Sequence, residues 1–346
     1  MKHANLIVFL LAIIVVFILG VILLELRAIL LPFVIAFLLT VIFKPLVLYF
    51  KARRVPVAVS LIVVLISFAT IIFLLGLTLY SSIDPFVAQL PSYQVRFNSL
   101  IQNAMGLFEV TLAKLGIRPE ELEWTSIFDF SSITPALTSG VGSFISFISN
   151  AVLVLLFMLF MLAGCGELGD KIKKALPENY SDRIANIIDN IDRQVRQYLL
   201  TKTLVSLATG TLTWLILVIL GVDFPLVWGF VAFLLNFIPN IGSLIAVLFP
   251  FIWSLLQFDA MTRPLLLLLF LGMAQTVMGN IVEPKIMAFS FNLSPLFVLV
   301  SLIFWGWLWG IWGMILAVPL TATIKIIFEN IEPLRPVSVL MSEKAT

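Results

Sequence analysis

The chain has 346 residues, 61% of them apolar, with a formal net charge of +2. Soluble domains sit nearer ~45–50% apolar, so the chain reads as a polytopic membrane protein rather than a soluble enzyme with an anchor, and nothing in its charge calls for nucleic acid. One cysteine, Cys165, excludes an intrachain disulfide; one histidine, His3, excludes His-based metal clusters and His-dependent triads.

Apolar runs near 20 residues are candidate spanning helices. The first, 6–24, follows Lys2 and has no small-x-small cleavage site, so it reads as a retained helix and not a signal peptide. The second, 29–50, holds Lys44-Pro45 near its end, and the third is 56–80. Residues 1–80 are therefore predicted to form three transmembrane helices. Residues 81–142 turn polar and carry Asp84, Glu109, Glu120, Glu121, Glu123 and Asp129, which predicts a small helical extracytoplasmic insertion. The fourth run, 141–163, supplies transmembrane helix 143–163.

Residues 164–202 are charged, with Lys171, Lys173, Lys174 and Arg183. Within them Ile184, Ile187, Ile188, Ile191, Val195, Tyr198 and Leu199 recur at helical spacing. This predicts a cytoplasmic amphipathic helix, on the membrane surface or docked on the bundle. The fifth run, 203–222, opens a C-terminal core over 203–330, and 331–346 is a polar cytoplasmic tail.

Within that core, residues 225–250 are nearly all apolar. Their middle, Asn236-Phe-Ile-Pro239-Asn240-Ile-Gly242-Ser243, is polar and helix-breaking. Proline removes a backbone donor and clashes with the preceding turn; glycine costs about 1 kcal/mol against alanine inside a helix. In hydrocarbon every freed backbone group needs a partner, so a break persists only inside protein or along a wet cavity. Transporters use such breaks to hold solute near mid-membrane; the plainer alternative is a kinked structural helix. Asn236 and Asn240 bring amide donors and acceptors. Ser243 stands where a second half-helix would start, among free N–H groups. An amide-lined break suits a neutral, hydroxyl-rich solute better than a bare ion.

A faint internal repeat supports a second such element. Gly242-Ser-Leu-Ile-Ala-Val247 resembles Gly313-Met-Ile-Leu-Ala-Val318; each follows a Pro-Leu start, at Pro225 and Pro295, and precedes a proline, Pro250 or Pro319. Halves of roughly 10–15 residues are too short to span singly. Residues 225–257 and 295–320 are thus each either one long broken helix or a re-entrant hairpin, one from each side, as in inverted repeats. Between them, the run 265–282 carries Gln275 and Asn280 and closes on Glu283-Pro284-Lys285. Ionisable groups within the membrane are costly and mark function; the alternative is an interfacial pair at a helix end. Trp305, Trp307, Trp309 and Trp312 crowd one segment. Tryptophan favours the membrane interface, and Trp305 is also a candidate stacking surface for a ring.

With the N-terminus in the cytoplasm, Lys2, Lys51, Arg53, Arg54, Lys171, Lys173, Lys174, Arg183, Arg193, Arg196, Lys202, Lys325, Arg335 and Lys344 all fall inside. That bias places both termini in the cytoplasm. No phosphate-cradling G-x-x-x-x-G-K-[ST] loop is present, so no nucleotide-driven pump is expected, and no catalytic constellation, metal or cofactor either. The expected fold is all-α and polytopic, with about seven to eight membrane segments, two of them discontinuous or re-entrant.

These residues carry a family resemblance. Trp228-Gly229 through Asn236, Pro239-Asn240 and Gly242-Ser243 resembles one signature of the autoinducer-2 exporter family of bacterial permeases, and Gly279-Asn280-Ile-Val-Glu283-Pro284-Lys285-Ile-Met287 resembles a second. Ser301-Leu-Ile-Phe-Trp305-Gly306 and Ala317-Val-Pro319 are similar to its C-terminal blocks; Leu90-Pro91-Ser-Tyr93 and Pro32 fit weaker marks. Ile238-Pro239-Asn240-Ile-Gly242 is most similar to the branch that exports the quorum-sensing furanone signal. The resemblance implies a multi-pass protein of the bacterial inner membrane that lets a small polar signalling molecule out. It also implies contact with lipid, a homo-oligomer such as a pentamer, and indirect effects on biofilm. Two other readings stay open: a sodium/proton antiporter relying on Glu283, and a non-transporting scaffold that binds partners through its insertion.

Overall fold

The computed structural model describes residues 14–15, 17–18, 20–114, 140–164, 177–286 and 292–343. The acidic Glu120, Glu121, Glu123 and Asp129, the lysines Lys171, Lys173 and Lys174, and most of the first apolar run lie outside the described residues. Among the described residues the chain is helical, with no strand beyond an isolated bridge between Leu293 and Ser342. The helices are α1 (Arg27–Ala52), α2 (Val57–Ser81), α3 (Ile83–Lys114), α4 (Gly140–Gly164) and α5 (Glu178–Leu220). They are followed by α6 (Pro225–Leu235), α7 (Ile241–Gln257), α8 (Thr262–Val277), α9 (Glu283–Ile286), α10 (Pro295–Glu329) and α11 (Arg335–Met341).

Among the described residues, five stretches are long and apolar enough to cross a membrane: Arg27–Ala52, Val57–Thr78, Ile184–Leu220, Thr262–Ile286 and Pro295–Glu329. Apolar side chains face outward in large numbers, Ile62, Ile66, Phe160, Leu204 and Ile219 among them. Such exposure is ordinary against lipid and untenable against water.

The first two apolar runs are not separated by a reversal. Residues 20–25 pass into α1 through Leu26, whose N–H still bonds the Ile22 carbonyl at 2.9 Å and whose carbonyl accepts from Leu30 at 2.9 Å. Leu26 bends the helix (φ −85°, ψ 7°). The intervening Glu25, Leu26, Arg27 and Ala28 are all good helix formers, with no glycine or proline to turn the chain.

The expected amphipathic helix and the fifth run likewise merge. α5 is one helix of 43 residues, about 65 Å long, twice the ~30 Å hydrocarbon core. Its N-terminal half docks on α1. Val195, Tyr198 and Leu199 pack with Leu38 and Val41 in one buried core, and below them Lys44 Nζ meets Asp192 Oδ2 at 3.2 Å. α1 and α5 therefore run antiparallel. α2 and α4 complete the N-terminal bundle around Ala36, Val47, Leu61, Val64, Val154, Met158 and Leu162.

Candidate functional site

Residues 225–257 fold as a hairpin and not as a bent rod. The Gln257 side chain at the end of α7 accepts the Asp223 N–H through Oε1 at 2.9 Å and donates Nε2 to the Gly221 carbonyl at 2.9 Å. Along a continuous helix residues 221 and 257 would stand about 54 Å apart. Instead both ends meet at a mouth, where the Trp228 and Trp253 rings lie 6.0 Å apart across the two arms. α6 has 11 residues, about 16 Å, half the depth of the hydrocarbon core. This hairpin 1 is re-entrant.

The tip keeps its backbone satisfied. Asn236 N–H bonds the Ala232 carbonyl, Ile238 N–H the Leu235 carbonyl, and Ile241 N–H the Pro239 carbonyl at 2.6 Å. The last bond closes a γ-turn on Asn240, at φ 59° and ψ −55°, the rarer and strained hand of that turn. The return arm then passes so close to the first that a β-carbon on Gly242 would overlap the Leu235 carbonyl. Only glycine fits there.

Residues 295–329 repeat the device. Gly310 breaks the helix at φ 64° and ψ −145°. Thr321 Oγ1 donates to Ser301 Oγ at 2.9 Å, and Trp305 Nε1 to Thr321 Oγ1 at 3.3 Å. Twenty residues of straight helix would separate 301 from 321 by about 30 Å. α10, although long enough to span, is hairpin 2. A β-carbon on Gly313 would overlap the Trp305 carbonyl, matching Gly242 over Leu235. Of the two foldings that the sequence left open, both elements take the hairpin.

Hairpin 1 packs along the membrane half of α5. Gly210 and Gly229 let the two backbones touch: a β-carbon on either would stand under 3 Å from the other's carbonyl oxygen. The facing stripe of α5 is polar. Lys202, Ser206, Thr209 and Thr213 recur at helical spacing, and all four are 3% exposed or less. Asn236, buried at the hairpin tip, donates Nδ2 to Ser206 Oγ at 3.0 Å. One turn away, Lys202 pairs with Glu283. Glu283 reaches Lys202 because α8 widens into a π turn at Met278–Val282, where the Glu283 N–H bonds the Met278 carbonyl. An extra residue in a turn rotates everything after it, a device frequent at functional sites. Gln275 is buried on the α8 face that also holds Leu267, Leu271 and Met278, and α8 packs on α5.

Two of the sequence-predicted residues meet α5 directly, Asn236 and Glu283, and Gln275 is buried on the neighbouring α8. Pro239, Gly242 and Ser243 shape the tip, with the Ser243 hydroxyl donating to the Asn240 carbonyl at 2.9 Å. Asn240, Asn280 and Lys285 are exposed and do not join the buried line. Trp305 is buried between the arms of hairpin 2, while Trp307 and Trp312 are exposed. Sequence reasoning passed over Lys202, Ser206, Thr209 and Thr213. Their 4–3–4 spacing, one face of a helix, was the available signal.

Membrane-length helices, two re-entrant hairpins and a buried polar line define a multi-pass membrane permease. Residues 8–332 match the family described as AI-2E family transporter, and the chain belongs to that family. It is 35% identical over 319 residues to the AI-2 transport protein TqsA of Escherichia coli (strain K12), covering 91% of this chain and 90% of that one. It is also 35% identical over 262 residues to a putative transport protein of Borreliella burgdorferi, with 75% of this chain and 70% of that one covered. The putative transport protein YhhT of Escherichia coli (strain K12) is 34% identical over 295 residues, 84% and 81% of the two chains.

Proposed function

We propose that the chain exports a small, oxygen-rich signalling molecule of the autoinducer-2 class, by secondary or facilitated transport and without chemical conversion. The observation that carries this reading is the buried bond between Asn236 at the tip of hairpin 1 and Ser206 on the polar line of α5. Amide and hydroxyl groups of that kind exchange partners readily with a neutral polyhydroxylated solute. The relative named an AI-2 transport protein supports the substrate class. In this reading the chain sits in a bacterial inner membrane with Lys51, Arg53, Arg54 and the C-terminus on the cytoplasmic side, as positive charge favours, and works as a homo-oligomer, a pentamer by family resemblance.

The test measures autoinducer-2 outside cells that lack the protein, carry it, or carry Asn236→Ala. The reading expects external signal to rise with the protein and to fall back in the variant. Equal levels in all three refute it. A second reading, sodium/proton antiport, is favoured by one observation: a carboxylate, Glu283, lies on the same polar line. Collapse of a pH gradient in vesicles on adding sodium, abolished in Glu283→Gln, supports it; no sodium response in the wild type ends it.

A further inference from the structure

The mouth of hairpin 1 is held by two different sets of contacts. One is internal: Gln257 ties the Gly221 carbonyl and the Asp223 N–H to the end of α7. The other comes from α3, the polar helix of the insertion. Tyr93 is buried, and its hydroxyl donates to Asp223 Oδ2 at 2.7 Å. Its ring meets Trp253 edge-on at 4.4 Å. One turn on, Arg96 reaches around the α7 end to the Phe258 and Asp259 carbonyls at 3.3 and 3.1 Å and to the Asp259 carboxylate at 3.1 Å. Phe86 stacks on Trp253 at 5.0 Å.

The two sets differ in kind. Gln257 closes the hairpin on itself through bonds that do not involve α3. The α3 contacts come from the side chains of Phe86, Tyr93 and Arg96. They are also incompletely used: Asp259 is 98% exposed, and Arg96 Nε is buried without a hydrogen-bond partner. An exposed pair of this type holds weakly, and an orphaned donor opposes closure. At the other end of the same hairpin the strained γ-turn on Asn240 stores conformational energy. This is the construction of a contact meant to release.

We propose that α3 is a releasable clasp on the mouth of hairpin 1, with Tyr93 and Arg96 as its two hooks, and that its release gates passage of solute. Tyr93 and Arg96 act through the hairpin and touch no solute. The clasp holds whatever the solute is, so it does not depend on the proposed substrate.

The test is hydrogen exchange of the purified full chain, read on peptides covering 221–228 and 253–260 against a reference within 205–217, alongside transport. Tyr93→Phe keeps the ring on Trp253 and removes only the hydroxyl. It is expected to speed exchange at both mouth segments about tenfold, the size of one hydrogen bond to a charged group, and to leave the reference unchanged. Asp259→Ala, at an exposed position that cannot unfold the chain, gives a smaller rise confined to the same segments. Transport should rise in both variants, whereas a purely structural contact would lower it. Unchanged mouth exchange in both overturns the clasp; faster exchange with slower transport overturns the gate. Where the wild type moves none of the tested solute, the transport proposal fails by itself, and mouth-confined exchange still decides the clasp.

Discussion

The Lys202–Glu283 pair yields an asymmetric prediction. The Lys202 side chain is 4% exposed and that of Glu283 is 22% exposed. Glu283→Gln therefore strands an almost dry ammonium, and breaking a buried pair costs about 3–5 kcal/mol. Lys202→Met strands a carboxylate that keeps some water, so its cost falls at or below the bottom of that range. The double variant removes both charges while keeping similar volumes, a replacement often neutral in buried pairs. Thermal unfolding in detergent should rank wild type and double variant together, Lys202→Met lower and Glu283→Gln lowest. If Glu283→Gln is no less stable than Lys202→Met, the burial asymmetry does not govern the pair. If the double variant is as unstable as the worse single, the two groups are not each other's partners. A double variant that is stable yet does not transport would place the pair in passage and not in folding.

Three further outcomes follow from the geometry. Gly242→Ala and Gly313→Ala each force a β-carbon into a carbonyl of the facing arm and should cost about 1–3 kcal/mol. Gly272→Ala, with nothing within 4 Å, should stabilise by roughly 0.5–1 kcal/mol; melting curves of the three variants check the opposite signs. Asn236→Ala and Ser206→Ala should each reduce transport, and their double-mutant cycle should show a coupling near ~0.6 kcal/mol, typical of bonds between membrane helices; additive losses would deny the bond. Burial, and then the Asp223 carboxylate, push the Tyr93 phenol above its ordinary range. An acid whose folded pKa is raised stabilises fully below its unfolded pKa, about 10, and loses that contribution as pH climbs beyond. Stability should therefore fall above pH ~10 more steeply in the wild type than in Tyr93→Phe; parallel profiles would contradict the contact.

The break at residues 236–243 was legible because proline, glycine and amides in an apolar run leave few other readings. The reversal was not. Pro239 and Gly242 interrupt a kinked rod as readily as a hairpin, and the deciding bonds come from Gln257, more than 30 residues from the Gly221 carbonyl it caps. Helix continuity was misjudged for a local reason. Polarity changes at Glu25–Arg27 and at Thr201–Lys202 looked like boundaries, yet neither holds a glycine or proline, and hydrogen bonding runs through both. Glu283 was found by its charge, but its partner was not. Which lysine meets it depends on the π turn at Met278–Val282, and nothing in the local sequence announces that added residue.

The two hairpins share a backbone device and divide its chemistry. In each, a glycine sits beneath a carbonyl of the facing arm, Gly242 under Leu235 and Gly313 under Trp305. In hairpin 1 the polar side chain at the tip turns away from the hairpin, and Asn236 spends its amide on α5. In hairpin 2 the polar groups turn inward: Ser301, Thr321 and the Trp305 indole bond one another between the arms. Near its tip, Trp309 Nε1 is fixed to the Leu23 carbonyl of the N-terminal helix at 3.2 Å. Hairpin 2 thus closes Ser301, Thr321 and Trp305 on one another and ties its tip to the N-terminal helix. Hairpin 1 instead directs its tip amide at the polar line of α5, while its mouth is held by Gln257 and by α3. The repeat thus yields two hairpins of one backbone design and different polar chemistry: the tip amide of hairpin 1 faces the polar line of α5, and hairpin 2 turns its polar groups on itself.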